Sequence, residues 1–184
     1  MKTYIFIYEG FAHFEVVITS LIQKSASEII TVGLDHKMVT SIEGFQTVPH
    51  VVLSEVDLDQ VDLFVIPGGD PHVLGDQEAL YTCLRYLDKK KTPIAAICAG
   101  PVQFAKAGIL KDRNYTTSAD IKAYDGFEAG HYMKQGVVVD NHMITAKGSS
   151  YVDFAIEIGK VLDVYENEED LKETINFYKY FQED

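Results

Sequence analysis

The sequence predicts an α/β fold in which helices cover both faces of a mostly parallel sheet. Short apolar runs rich in β-forming residues alternate with longer segments whose apolar residues recur at helical spacing. Parallel strands buried on both faces produce such continuous apolar runs, and the helices between them carry one apolar stripe. The chain has 184 residues, so we expect residues 1–184 to form a single domain.

Four apolar runs are the predicted strands of the buried sheet. They lie at residues 3–8, 28–34, 61–66 and 94–97. Helices are predicted at residues 14–22, 77–91 and 102–110, with a short polar turn at 54–60. Residues 37–53 contain Gly44 and Pro49 among β-forming residues, which predicts a hairpin or an excursion of the chain at a sheet edge.

The second half of the chain is predicted to add a hairpin and two helices. Segments 132–139 and 143–146 flank a turn at 140–142 and read as a β-hairpin. Residues 114–118 are predicted as a short strand, 119–125 as a helical turn and 126–130 as a loop. Helices follow at 151–163 and 168–181, and the last is expected to dock on the body. This order indicates a flavodoxin-like three-layer α/β/α sandwich.

The composition argues against several classes of function. With 16 Lys and Arg against 28 Asp and Glu, the net charge is −12, which suits neither nucleic acids nor anionic membranes. No signal peptide is visible, and no apolar run is long enough to span a bilayer. The two cysteines, Cys83 and Cys98, fit a reduced, cytoplasmic protein, and Cys83 lies among leucines as a packing residue.

The turn around Cys98 is the strongest candidate for a chemical site. The apolar run 94–97 ends at this residue, Ala99 and Gly100 follow, and Pro101 begins a helix. This layout is that of a nucleophile elbow, which presents a side chain at the carboxyl end of a buried strand. The amide of Ala99 then faces any oxyanion formed there. The alternative is a small core residue that simply ends a strand, because free cysteines are often buried.

Two further features fall on the same predicted rim of the sheet. Glu15 lies in the first turn of the helix after the first strand, where a carboxylate also complements the helix dipole. The third strand ends in Pro67, Gly68 and Gly69, and the amide of Gly69 is a candidate oxyanion donor. A plain turn is the alternative explanation for the two glycines.

Several segments resemble the ThiJ/DJ-one/PfpI family, and they occur in the family's order along nearly the whole chain. They are residues 94–101 (Ile-Ala-Ala-Ile-Cys-Ala-Gly-Pro), 66–69 (Ile-Pro-Gly-Gly), 14–15 (Phe-Glu), 145–148 (Thr-Ala-Lys-Gly) and 154–155 (Phe-Ala). The resemblance implies a class I glutamine-amidotransferase-like α/β sandwich that forms homodimers. It also implies that Cys98 is the reactive centre and that a protonated Glu15 hydrogen-bonds its thiolate. We therefore expect a lowered pKa for Cys98 and a raised pKa for Glu15.

The sequence departs from the family at the histidine that accompanies the cysteine in members with clear hydrolytic or glyoxalase-type activity. The two positions that carry it elsewhere in the family are Ala99 and Ser118 here. A thiol nucleophile ordinarily needs a base or proton shuttle, so Ser118, His13 and His72 are the auxiliary candidates. A lone loop histidine is more often only solvated. No spacing of ligands suggests a metal site, and no cofactor is expected.

Three functions follow from these residues. Cys98 and Glu15 could serve an enzyme acting on small carbonyl or acyl compounds, glyoxalase-like or hydrolase-like, or acting in stress response. Alternatively, Cys98 is a redox sensor that oxidants convert to sulfenic and sulfinic acid. In the third case the protein is a binding module with a vestigial cysteine. The expected partners are a small-molecule substrate or oxidant and a second copy of the chain.

Overall fold

A computed structural model of the protein describes residues 1–182 and contains a central seven-stranded sheet flanked by helices. The strands in chain order are β1 (Lys2–Phe6), β2 (Glu28–Gly33), β3 (Val39–Thr40), β4 (Gln46–Thr47), β5 (Val51–Val52), β6 (Leu63–Ile66), β7 (Ile94–Ile97), β8 (Asn114–Tyr115), β9 (His131–Tyr132), β10 (Val137–Asp140) and β11 (Met143–Ala146). The helices are α1 (Phe14–Gln23), α2 (Pro71–Leu74), α3 (Glu78–Lys90), α4 (Pro101–Ala107), α5 (Tyr151–Val161) and α6 (Glu168–Tyr180).

The strands of the central sheet follow the order β10-β11-β7-β6-β1-β2-β5. Every neighbouring pair is parallel except β10 and β11, which form an antiparallel hairpin where the sequence predicts one. Its first strand begins at Val137 and not at residue 132, because Tyr132 belongs to β9. All residues of β6, β7 and β11 are buried, as continuous apolar runs between two helical layers require. The predicted mostly parallel α/β sheet is therefore confirmed.

The helices flank the sheet in two groups. Helix α1 packs against α5, and α3 packs against α4. Helix α6 lies against α5, and Lys179 of α6 pairs with Asp153 of α5 at 2.7 Å. This arrangement gives the three layers that the order of elements predicts. That residues 1–184 form a single domain stays a prediction. No helix within residues 1–182 is both long enough and apolar enough to cross a bilayer; a cytoplasmic location stays a prediction.

Three predicted segments, at residues 114–118, 119–125 and 126–130, differ in the structure. Residues 114–118 do not join the central sheet, because only β8 is extended and it pairs with β9. The amide of Thr116 donates instead to the Thr145 hydroxyl at 3.0 Å. Residues 119–125 form irregular turns and bends instead of the predicted helical turn. A 3₁₀ helix occupies Phe127–Ala129, where the sequence predicts a loop. The Asp120 carboxylate accepts the amide of Lys122 at 3.0 Å, a local bond that competes with helix formation.

The excursion after β2 is more elaborate than a single hairpin. Strands β3 and β4 form a short antiparallel hairpin, as expected, but β5 then returns to the edge of the central sheet beside β2. The hairpin folds back over the loop between β1 and α1. The amide of Gly10 donates to Thr40 O at 2.8 Å, and the amide of Ile42 donates to Phe11 O at 3.0 Å. The hairpin therefore borders the loop that leads to Glu15.

Candidate active site

The carboxyl ends of four adjacent strands converge on Cys98. Strand β7 ends directly before it, β1 leads to Glu15, β6 leads to Gly68, and β11 leads to Gly148. A Cβ atom added to either glycine would lie 3.0 Å from the Cys98 sulfur. The same added atoms would lie 2.6 Å and 2.9 Å from the Glu15 carboxyl oxygens. The two glycines thus allow the backbone to close around both the thiol and the carboxyl.

The backbone of Cys98 adopts a left-handed conformation with φ of 60°. This region is unfavourable for a residue with a Cβ atom, so surrounding contacts have to maintain it. The Cys98 amide donates to Ala146 O at 2.9 Å, while its carbonyl accepts the Ser118 amide at 2.9 Å and the Thr117 hydroxyl at 2.6 Å. These bonds hold the peptide units on either side of the thiol, which remains partly exposed.

Glu15 is a buried carboxyl group, with a residue exposure of 2%. It accepts the Gly68 amide through Oε2 at 2.6 Å and shares a hydrogen bond with the Cys98 side chain. Burial raises the pKa of Glu15, and the nearby charge of Glu43 adds to the rise. The bonds to Cys98 and Gly68 oppose it without cancelling it. The direction agrees with the shift expected for Glu15.

The pKa of Cys98 moves in the direction opposite to the one expected. Burial, followed by the charge and hydrogen bond of Glu15, raises the pKa of Cys98 to about 11. Hydrogen bonds to the Ser118 side chain and the Ala99 amide act against this rise. The repulsion between the Glu15 carboxylate and a Cys98 thiolate exists only while Glu15 is ionised. Thiol and carboxyl therefore form one coupled pair that retains a single proton over the range between their two ionisations.

The structure brings some of the candidate residues to Cys98 and leaves others elsewhere. Ser118 contacts the sulfur, and its Oγ also accepts the Gly148 amide at 3.0 Å, so it links two walls of the site. Ala99 supplies an amide to the sulfur. Gly69 forms a bridge with Phe11, and the amide that holds Glu15 comes from the preceding glycine.

Neither candidate histidine is a hydrogen-bond partner of the Cys98 sulfur in the described part of the chain. The ring of His13 lies 5.8 Å from that of Phe11 and 5.6 Å from that of Phe45. His72 Nε2 lies 3.2 Å from the hydroxyl of Tyr124. Both side chains thus have local partners that account for their positions. Among residues 1–182 there is also no group of three or more His, Cys, Asp or Glu side chains arranged to hold a metal ion.

Two residues of the site were missed by sequence reasoning. The Tyr8 hydroxyl donates to Gly68 O at 2.9 Å and is buried, which fixes the turn after β6. Burial, with the charges of Glu15 and Cys98, raises the pKa of Tyr8, so it stays a neutral donor. Gly148 lies in a segment that resembles the family, but its contact with the thiol depends on folding. The available signal for it is a glycine two residues after a buried strand.

Comparison with known proteins shows what the whole chain is similar to. The sequence model of the DJ-1/PfpI family matches residues 1–160. The chain is 30% identical over 149 residues to "Uncharacterized protease YoaZ" of Bacillus subtilis, covering 78% of this chain and 70% of that protein. It is 28% identical over 155 residues to "Glutathione-independent glyoxalase DJR-1.2" of Caenorhabditis elegans, covering 81% of each chain.

A further relative and a solved structure extend the comparison. "Deglycase TK1284" of Thermococcus kodakarensis is 26% identical over 149 residues, which cover 80% of this chain and 90% of that protein. The crystal structure of the DJ-1 superfamily protein Atu0886 from Agrobacterium tumefaciens superimposes with a TM-score of 0.88 at 28% identity, covering 99% of this chain and 100% of that one. With a family model that matches residues 1–160 and a fold shared along the whole length, the chain belongs to the DJ-1/PfpI family.

Proposed function

We propose that Cys98 is the nucleophile of an enzyme acting on small carbonyl compounds and that Glu15 is its acid–base partner. The observation that carries this proposal is the contact between a partly exposed thiol and a buried carboxyl, with a glycine against each side. A carboxyl with a raised pKa keeps its proton to higher pH than an ordinary glutamate and can give it to a reacting group. Because Gly68 and Gly148 restrict the approach to the sulfur, the site favours small substrates.

The reactive form of the pair places its proton on Glu15 and leaves Cys98 as the thiolate. A neutral carboxyl then donates a hydrogen bond to sulfur, and the repulsion that adds to the raised pKa of Cys98 disappears, while burial, the larger cause, still acts against the thiolate. The Ser118 hydroxyl and the Ala99 amide stabilise the same thiolate. Burial of Glu15 supports this arrangement, since it disfavours the carboxylate.

The proposed chemical step is addition of the thiolate to an aldehyde carbon. The sulfur forms a bond to carbon, the C=O π electrons move to oxygen, and Glu15 gives its proton to the resulting alkoxide. The products are a thiohemiacetal on Cys98 and a carboxylate on Glu15, which can then act as a base. The amides of Gly69 and Ala99 remain the proposed donors to the developing oxyanion. In this scheme, Glu15 does the proton transfers that a histidine performs in other thiol enzymes.

The names of the relatives favour carbonyl chemistry within this family. One relative is named a glyoxalase and another a deglycase, while a third is named an uncharacterized protease. A glyoxalase acts on small dicarbonyl compounds, which suit a sulfur confined between two glycines. We therefore propose α-dicarbonyl compounds such as methylglyoxal as the substrate class.

The pH dependence of Cys98 alkylation tests the proposed position of the proton. With the proton on Glu15, the midpoint of the iodoacetamide rate should lie below the ordinary thiol value of about 8.5. Glu15→Gln keeps a neutral donor and should stay within about one pH unit of the wild type. Glu15→Leu removes the donor but keeps the burial, so its midpoint should rise.

A wild-type midpoint near 11, the value that burial and an ionised Glu15 set together, would contradict the thiolate proposal. The same holds if Glu15→Leu and Glu15→Gln give identical profiles. Peptide mass mapping should assign the alkylated residue, because Cys83 is a second thiol in the chain.

A redox role is the second candidate, and the surroundings of the sulfur favour it. Cys98 is partly exposed, and its three hydrogen-bond partners can also bind oxygens added to sulfur. Oxidation by peroxide would yield a sulfenic and then a sulfinic acid, with the peroxide reduced to water at each step. A binding module with an unreactive Cys98 is the outcome if neither carbonyl turnover nor oxidation occurs.

We also propose that the protein forms a homodimer through the exposed face of α1. Phe14, Val17 and Leu21 are 42%, 37% and 51% exposed on this helix, which is a concentration of apolar surface beside the candidate site. Light scattering should give twice the chain mass of 20.6 kDa, and Leu21→Glu should shift the protein toward the monomer. A mass of one chain at all concentrations would contradict the dimer, and an unchanged dimer in Leu21→Glu would exclude this face.

A further inference from the structure

The turn between β3 and β4 reaches back to the beginning of α1. Strand β3 is tied to the preceding loop by the Thr40 amide, which donates to Glu9 Oε2 at 2.9 Å, and by the Gly10 amide, which donates to Thr40 O. The amide of Ile42 donates to Phe11 O at 3.0 Å. These bonds fix the hairpin tip next to α1, although about thirty residues separate them in sequence.

Glu43 at the hairpin tip supplies the cap that α1 lacks locally. Its Oε1 accepts the Phe14 amide at 3.0 Å, and its Oε2 accepts the His13 amide at 3.2 Å. His13 occupies the N-cap position without a side-chain hydrogen bond to the helix. A carboxylate at this end satisfies free amides and complements the helix dipole. Glu15 directly follows Phe14 in the helix, so Glu43 holds the first turn of α1, which carries the Glu15 carboxyl.

We propose that Glu43 is a positioning residue for the pair of Cys98 and Glu15, which it serves by capping α1 and keeping a negative charge beside Glu15. This charge adds to the effect of burial, which is the larger influence, in favouring the proton on Glu15. The inference rests on the proposed function of that pair. It assigns a role to a hairpin that is remote in sequence and absent from the motifs around the thiol.

The electrostatics of the groups facing Glu15 support this role. Although its own burial acts in the other direction, hydrogen bonds from the Phe14 amide, the Ser41 hydroxyl and the His13 amide hold the pKa of Glu43 below its usual value. Glu43 therefore stays ionised while Glu15 titrates. Burial is the largest cause of the raised pKa of Glu15, and the charge of Glu43 raises it further.

The other groups around Glu15 do not replace this charge. Cys98 and the Gly68 amide lower the pKa of Glu15 through hydrogen bonds. Tyr8 remains neutral because burial and the nearby acidic groups raise its own pKa. Glu43 is not among the main influences on the pKa of Cys98, which are burial and Glu15, opposed by Ser118 and the Ala99 amide. Its influence on the thiol thus passes through Glu15.

The first test follows the Glu15 carboxyl in a Cys98→Ser background by ¹³C NMR across pH. Glu43→Gln removes the charge and retains one acceptor, so the pKa of Glu15 should fall by about half a unit. Glu43→Asp keeps the charge and should recover at least part of the shift. Glu9→Gln is the matched control, because it removes an equal charge from a carboxyl that contacts the same hairpin and retains one acceptor, and it should leave Glu15 unchanged.

The second test measures Cys98 alkylation in the chain with its thiol intact. Easier ionisation of Glu15 disfavours the thiolate, so Glu43→Gln should alkylate about threefold more slowly than wild type at neutral pH. Added salt should slow the wild type toward the variant, because Glu43 is exposed and its charge is screened. Glu43→Ala should also lower the melting temperature through loss of the cap.

Identical Glu15 titrations in Glu43→Gln, Glu9→Gln and the parent would overturn the inference, whatever Cys98 does. A change in melting temperature without a change in either pH profile would leave Glu43 as a structural cap only and would also overturn it. If the pKa of Glu15 falls in Glu43→Gln as expected but Cys98 of the wild type alkylates with a midpoint near pH 11, the proposed thiolate is refuted and the role of Glu43 is not. The two proposals therefore fail through different measurements.

Discussion

Replacement of Cys98 by serine should abolish turnover of methylglyoxal, with a loss of at least about a thousandfold in kcat/KM. The serine hydroxyl has almost the same size, but it does not ionise near neutral pH and is a poor nucleophile beside a carboxyl. The contacts of the turn are retained, because the amide and carbonyl of residue 98 form them. The expected loss is therefore chemical and does not require unfolding.

Cys83→Ser is the matched control for this experiment. Cys83 is 3% exposed on α3, and burial raises its pKa to about 12, so it is expected to be inert. Turnover that survives in Cys98→Ser would contradict the enzyme proposal. Absent turnover in the wild type, combined with stepwise addition of one and then two oxygens to Cys98 by peroxide, would favour the redox candidate. Intact-mass spectrometry after peroxide titration distinguishes these results.

Substitution of Gly68 by alanine should damage the site most severely among changes that leave the thiol and carboxyl in place. The added Cβ would lie 2.6 Å from both the Cys98 Cβ and Glu15 Oε2. The Cys98 Cβ is attached to a backbone held by hydrogen bonds on both sides, so it cannot move aside. We expect a loss of about 1–3 kcal/mol in the free energy of unfolding. Separation of the pair should slow Cys98 alkylation by about a hundredfold.

Gly148→Ala should have the same effects with a smaller magnitude. Its Cβ would meet Glu15 Oε1 at 2.9 Å and the Cys98 sulfur at 3.0 Å, and these two atoms belong to side chains that can rotate. The Cys98 Cβ would lie at 3.2 Å, compared with 2.6 Å from a Cβ at Gly68. Gly108→Ala is the control, since a Cβ there meets no atom within 4 Å although φ is 74°. It should cost about 1 kcal/mol in stability and leave alkylation unchanged. Urea unfolding and alkylation rates at neutral pH measure both effects.

Normal alkylation in Gly68→Ala would show that the thiol and carboxyl do not depend on this close approach. Equal loss of alkylation in Gly108→Ala would show that any glycine replacement disturbs the site through global destabilisation.

Much of the fold is predictable because it follows from local periodicity. The apolar run at 94–97 and the small residues after Cys98 specify a strand and a tight turn wherever they occur. The helical stripe that begins at Phe14 likewise identifies α1 and places Glu15 in its first turn. The strand predicted at 114–118 fails for the opposite reason. Its β-forming residues satisfy their hydrogen bonds with other side chains and with a partner outside the central sheet.

The sequence by itself determined the alternation of strands and helices, the family resemblance and the two residues most suited to chemistry, Cys98 and Glu15. Only the tertiary structure decided what surrounds them. Gly148 and Glu43 come close to Cys98 and Glu15 from distant segments of the chain, and no repeating pattern of apolar residues in the sequence predicts either contact. The direction of the thiol shift also depends on folding, because burial and the distance between two charges set a pKa, and both arise from packing rather than from residue type.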